Sequence, residues 1–227
     1  MAFRIEKRIG ILALLLLAPA LFAQKELRFQ LRRAGTLIVT ERGVSCSKPE
    51  FNLDYQDIQQ LKLADDKLTL VSYKDRKWRL GVDKQYQFTL TPGQDFHEAY
   101  ALLKDKLDQR FVAALADDQV QPLWQIPVKL LGRVTGSEGV LEVGADRIVY
   151  KTAAKDQSRT WRYGDIENIS SSGPFQLTLT TYERAKLHYG NLKGFNFQLK
   201  QTLDEARFNL LWRRLNLISV QERENKQ

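Results

Sequence analysis

The sequence predicts a mainly β protein with some helix, an α+β chain in which one unit is built twice. Three observations carry this. The phrase YQDIQQL at Tyr55–Leu61 returns as YGDIENI at Tyr163–Ile169, 108 residues later. Around both phrases, apolar residues alternate with polar ones at the two-residue period of half-buried strands. Each copy then closes on apolar residues three and four apart, the spacing of a helix with one buried face.

Taken in order, LRFQLRRAG (Leu27 to Gly35) opens the first copy and WQIPVKLLGRVTG (Trp124 to Gly136) the second. The strands GTLIV (Gly35 to Val39) and GVLEV (Gly139 to Val143) come next. A turn and a second short strand follow, near Val44 and at RIVY (Arg147 to Tyr150). In the Tyr-x-Asp-Ile phrases, Tyr55 and Ile58, and likewise Tyr163 and Ile166, are expected to point inward. Asp57 and Asp165 are expected to accept a hydrogen bond from a nearby backbone N–H at a strand bend.

LTLVSYKDRK (Leu68 to Lys77) and LTLTTYERAK (Leu177 to Lys186) share Leu, Thr, Leu, Tyr and the last Lys in register. YQFTL (Tyr86 to Leu90) and FNFQL (Phe195 to Leu199) read as further strands, rich in the aromatic residues that suit a pleated, half-buried surface. The closing helices are marked by Phe96, Tyr100, Leu103, Leu107 and Phe111, and by Phe208, Leu211, Leu215 and Ile218. Asp95 with Glu98, and Thr202 with Glu205, have the spacing of capping boxes at the helix starts.

The expected layout is a leader at 1–23, a first domain at 24–112, a linker at 113–123, a second domain at 124–220 and a polar tail at 221–227. The leader reads as a secretory signal, with Arg4, Lys7 and Arg8 ahead of the uncharged run Ile9 to Ala23. Cleavage before Gln24 is expected, with an uncleaved N-terminal anchor as the alternative. The chain is therefore expected to be exported, periplasmic or secreted. Its single cysteine, Cys46, can form no internal disulfide, so stability must come from burial and hydrogen bonding.

The formal net charge is +8, and losing the leader removes three basic residues and one acidic one, so the remainder stays basic. Lys and Arg outnumber Asp and Glu by 16 to 13 both in residues 24–112 and in residues 113–227. Charge spread so evenly disfavours a nucleic-acid partner, which calls for a basic tail or stripe.

No catalytic pattern is recognisable. The two histidines, His97 and His188, are not at paired positions, and no His-Glu-x-x-His, Gly-x-Ser-x-Gly or phosphate-loop motif occurs. Ser170 to Ser172, leading into Gly173 and Pro174, read as turn chemistry, as do Asp65–Asp66 and Asp117–Asp118. No cofactor and no metal are expected. The best binding candidate is YKDRKWRL (Tyr73 to Leu80), where Lys74, Arg76, Lys77 and Arg79 surround Trp78, offering cations beside an indole.

The order of short strands ending in one helix, with the phrases GVLEV, YGDI, LTLTTYE and FNFQL, resembles the bacterial pleckstrin-homology-like (PH-like) and GRAM-like domains. The resemblance covers nearly all the chain after the leader, twice. It implies two tandem PH-like β-barrels, each of short antiparallel strands plugged by a C-terminal helix. Trp212 in LLWRRLN then corresponds to a tryptophan that many PH domains pack under the barrel, whereas the aligned residue of the first copy is Lys104. Inositol-lipid recognition in the familiar mode is disfavoured, because the turns taken as equivalent, TERGV and GADRI, hold only Arg42 and Arg147 as basic residues. The expected function is a non-enzymatic exported binding or scaffold module that engages a protein or peptide partner. The alternative is an electrostatic binder of anionic membrane or envelope surfaces through Lys74 to Arg79.

Overall fold

The computed structural model describes residues 25–76, 79–132, 136–185 and 192–224, the side chains of 76, 79–81 and 218–224 excepted. It is mainly β with two helices, as the α+β expectation requires. The first half runs β1 (Glu26–Gln30), β2 (Thr36–Thr40), β3 (Gly43–Ser47) and β4 (Glu50–Asp54), then a 3-10 turn at Tyr55–Asp57. It continues with β5 (Ile58–Ala64), β6 (Lys67–Arg76), β7 (Arg79–Thr89) and α1 (His97–Leu103). A short strand, β8 (Phe111–Ala114), leads to the second half.

That half repeats the order with β9 (Trp124–Leu131), β10 (Ser137–Val143), β11 (Arg147–Lys151) and β12 (Arg159–Arg162), then a 3-10 turn at Tyr163–Asp165. β13 (Ile166–Gly173), β14 (Gln176–Arg184), β15 (Leu192–Leu199) and α2 (Glu205–Glu224) complete it.

The strands form a four-stranded sheet, β1-β2-β3-β4, and an eleven-stranded sheet, β13-β14-β15-β9-β10-β11-β12-β8-β5-β6-β7. Each half has its own apolar core. Leu37, Val39, Leu68, Leu70, Phe96 and Leu103 are fully enclosed in the first, and Ile126, Val128, Leu141, Ile148, Leu179 and Leu211 in the second. Two-residue periodicity places them: in β14 the residues Leu177, Leu179, Thr181 and Glu183 face inward and their neighbours do not.

The repeated phrase forms the corner between the four-strand and three-strand sets of each half. Tyr55 donates its hydroxyl to the carbonyl of Thr40 at 2.8 Å, and Tyr163 donates to Gly144 at 2.9 Å, so each ring ties its corner to the turn after β2 or β10. Burial raises both phenol pKa values, Tyr163 to about 12. Ile58 and Ile166 are buried beside them. Asp165 accepts from the Arg162 backbone N–H at 3.0 Å, but Asp57 is exposed and makes no such bond. Both corners also share a register shift, between Ile58 and Gln60 and between Ile166 and Asn168. Replacing Tyr163 with Phe should lower unfolding free energy by about 1 kcal/mol, read as a shifted denaturation midpoint with unchanged slope.

The closing helices differ from expectation. α1 stops at Leu103, because Phe111, in helical phase with Leu103 and Leu107, is drawn into β8 by pairing with β5. The cap of α2 is Asp204, whose carboxylate accepts from the Arg207 N–H at 2.8 Å, rather than Thr202. Trp212 is 51% exposed. The helix residues enclosed at matching positions are Leu103 and Leu211, each 0% exposed, so it is a leucine that plugs each half.

Candidate functional site

The basic stretch named from sequence lies at the tip of the β6–β7 hairpin. Lys74 is exposed beside Tyr73, which is 58% exposed, and Arg76 faces Arg79 across the hairpin. Lys77 and Trp78 lie outside the described residues, as does His188. His97 is exposed, with Nε2 3.7 Å from an Asp65 carboxylate oxygen. Among the described residues no group of three or more His, Cys, Asp or Glu could hold a metal ion.

Charged residues are instead concentrated where the halves meet; the sequence patterns do not single out Glu183, and they mark Asp117 only as part of a turn. Glu183, on β14, is enclosed by Lys62 at 2.9 Å, Lys193 at 2.8 Å and Arg159 at 3.5 Å. Burial alone would raise its pKa, but the charges of Arg159, Lys193 and Lys62 outweigh burial and hold it down to about 2. Burial pushes the Lys193 ammonium down to about 8. The readable clue is phase. Glu183 sits one step beyond Leu177, Leu179 and Thr181 on the inward face, while its counterpart in the first copy is the exposed Lys74.

A second cluster centres on Asp117, in the segment read as a linker. Its carboxylate accepts from Tyr100 at 2.8 Å, Arg147 at 3.1 Å and Lys104 at 3.3 Å. Burial opposes ionisation here, yet the bonds from Tyr100 and the Gln119 N–H, with the charge of Lys104, leave its pKa below the usual carboxylate range. Arg162 adds a third tie, donating to the carbonyls of Lys104, Leu107 and Asp108 just past the end of α1. These residues join the halves.

The two halves also differ at their sheet edges. β8 lies parallel to β5, pairing Leu61 with Phe111 and Ala64 with Ala114, and its other side meets β12 at Thr160. The equivalent edge of the second half is β13, where Ile169 to Ser172 correspond to Leu61 to Ala64. Among the described residues no strand lies along that edge. Ser170, Ser171 and Ser172 belong to this strand rather than to a turn, and their side chains are exposed. α2 packs on the 3-10 turn and on β13, and the serine side chains remain exposed.

The fold and these edges define an all-antiparallel repeat joined by one parallel strand. No family model matches the chain, and no curated protein matches it. Among solved structures it is similar to the C-terminal domain of an unknown protein from Leishmania infantum, at 14% identity and a TM-score of 0.32, over 42% of this chain and 85% of that one. It is also similar to the Spt16D Pob3N heterodimer, at 12% identity and a TM-score of 0.28, over 72% of this chain and 86% of that one.

Proposed function

We propose that the chain is an exported, non-enzymatic binding module of two PH-like domains that takes an extended segment of a protein or peptide partner onto an open sheet edge. In support of the PH-like reading, each half has four strands, a corner, three strands and a closing helix.

One observation carries the function: β8 shows a peptide segment seated on the β5 edge, and the matching β13 edge is vacant among the described residues. Strand addition gains affinity from main-chain hydrogen bonds, so a polar edge such as Ser170 to Ser172 suits it. Natural edges are otherwise blunted by charge, bulges or covering elements; β13 has register shifts between Ile166 and Asn168 and between Ser170 and Gly173, but Ile169–Ser172 carry no charged side chain.

The test is selection of displayed peptides against the purified protein, followed by amide exchange of the complex. Selected peptides should slow exchange in Ile169–Ser172, and Ser171→Pro, which removes one edge N–H, should abolish binding. If no peptide is selected, or if protection falls on no open sheet edge, the reading is wrong.

The exposed Tyr73 and Lys74 favour a second reading, capture of an anionic membrane surface by the β6–β7 hairpin. Flotation with anionic vesicles at low and high salt, alongside a Lys74/Arg76/Lys77 to Ala variant, decides it. Salt-sensitive flotation lost in the variant establishes the hairpin as the site, and protein that stays unbound throughout removes this second reading.

A further inference from the structure

The halves differ at one seam. In the second half β9 runs on beside β15, pairing Val128 with Leu199, Lys129 with Gln198, Leu130 with Phe197 and Leu131 with Asn196. In the first half the corresponding contact is a single bridge, Leu31 to Leu90, made by bonds from the Arg32 N–H to the Thr89 carbonyl and from the Thr91 N–H to the Gln30 carbonyl. The chain then turns away. Ala34 (φ 80°) and Gly35 (φ 105°) take left-handed conformations, and the Leu31 N–H bonds the Gly35 carbonyl at 3.0 Å, closing a tight turn. A Cβ on Gly35 would sit 3.0 Å from the Lys48 carbonyl oxygen, so glycine is required both by φ and by space.

The early turn leaves a groove lined by Arg32, Arg33, Lys48, Pro49 and the β7 residues Gln87 and Phe88. β7 is the last strand of the eleven-stranded sheet, so its edge before Thr89, at Gln87 and Phe88, has no strand neighbour among the described residues. The three cations are exposed, none has an ion-pair partner among the described residues, and no carboxylate lines the groove. The turn that carries two of them, LRRAG, is the true connection between the first two strands of this half. TERGV, which sequence reading took for it, joins β2 to β3.

We infer that this groove binds an acidic, extended peptide segment, which adds antiparallel to β7 where β9 adds to β15, with its carboxylates against Arg32, Arg33 and Lys48. The inference rests on the reading of the chain as a strand-adding module and names the partner chemistry at a second edge. A peptide fits better than a lipid head group or a polyanion because the site offers a backbone ladder as well as charge. The ladder fixes an extended chain, and the cations select its side chains.

The test is fluorescence polarisation of the purified protein with a labelled ten-residue peptide alternating Glu with Val and Thr. Two controls go beside it, a peptide of equal charge with proline at alternate positions and a Lys-for-Glu peptide. The Glu peptide should bind and weaken with salt, as interactions between exposed charges do. Both controls should fail to bind.

The variant Arg32→Glu/Arg33→Glu/Lys48→Glu should weaken the Glu peptide at least tenfold while its thermal midpoint stays near wild type, since all three side chains are exposed. Absence of binding overturns the inference, as does binding indifferent to the triple variant. Equal binding of the proline peptide, or competition by anionic vesicles at equal charge, also overturns it, in favour of diffuse anion attraction. If displayed peptides protect β13 while the Glu peptide ignores the triple variant, this inference fails and the general reading stands. If no peptide binds at either edge, both fail.

Discussion

Replacing Glu183 with alanine is expected to cost about 3–5 kcal/mol of stability, the range found when one partner of a buried ion pair is removed. The carboxylate is 5% exposed and is the shared counter-charge of Lys62, Lys193 and Arg159. Without it three cations are left close together without their shared counter-charge. Two come from the second half and Lys62 comes from β5 of the first, so repulsion should open the contact between halves before either core melts.

The same group predicts an acid response. A carboxylate whose folded pKa is depressed stabilises the protein fully above its unfolded value and loses that contribution as pH falls through the folded value. For Glu183 the window runs from an ordinary 4.5 down to about 2, and the loss across it is about 3 kcal/mol. Urea unfolding of the wild type should therefore weaken steeply below pH 4.5, and the alanine variant should show a flatter profile from a lower start. A variant that matches wild type at pH 7 would mean that the cluster is solvated and contributes nothing.

Much of the architecture was legible in the chain because it is written twice in local terms. Period-two alternation in LTLVSY and LTLTTY fixes inward faces, and the Tyr-x-Asp-Ile phrase marks a corner whose tyrosine hydroxyl finds a backbone carbonyl in both halves. What was not legible depends on contacts distant in sequence. Phe111 continues the spacing of α1, and nothing local reveals that β5 and β12 together offer a slot for one strand. The missing cap at Thr202 is a shift of two residues, to Asp204, a competing acceptor closer to the helix.

The proposed binding surfaces were legible only in part. Charge composition drew attention to Lys74 through Arg79, and Lys74 is exposed as a binding residue would have to be. The groove at Arg32, Arg33 and Lys48 depends on where β1 stops, which is set by a two-residue left-handed turn. Its meaning appears only when β1 and β9 are laid side by side. Asp117 was hidden for the opposite reason. An Asp-Asp pair before a proline reads as solvated turn, yet Tyr100, Lys104 and Arg147 gather around the first of the two.

Replacing Asp117 with alanine should accordingly cost about 3 kcal/mol, near the lower end for a broken buried pair, because Arg147 keeps Asp146 and Asp105 at 2.5 and 3.3 Å. The loss has two parts. Arg147 and Lys104 lose an anion, and the Gln119 N–H and the Tyr100 hydroxyl lose their acceptor. The ion pair accounts for only part of this, so Arg147→Met alone should be less damaging. The double variant should recover part of the Asp117→Ala loss, a coupling that a double-mutant cycle measures.

Position in the chain makes the effect specific. Asp117 follows β8 by three residues, and its own N–H donates to the Thr160 hydroxyl, which in turn donates to the Leu115 carbonyl. Losing the carboxylate should therefore free β8 first, with amide exchange of Phe111–Ala114 accelerating before that of the cores. A β8 that stays protected in the variant would show that strand pairing alone holds the halves together. A β8 that opens would also expose the β5 edge, and a peptide copying residues 109–117 should then bind the variant in place of the chain's own strand. That peptide should leave the wild type unbound at β5, where the edge is already filled.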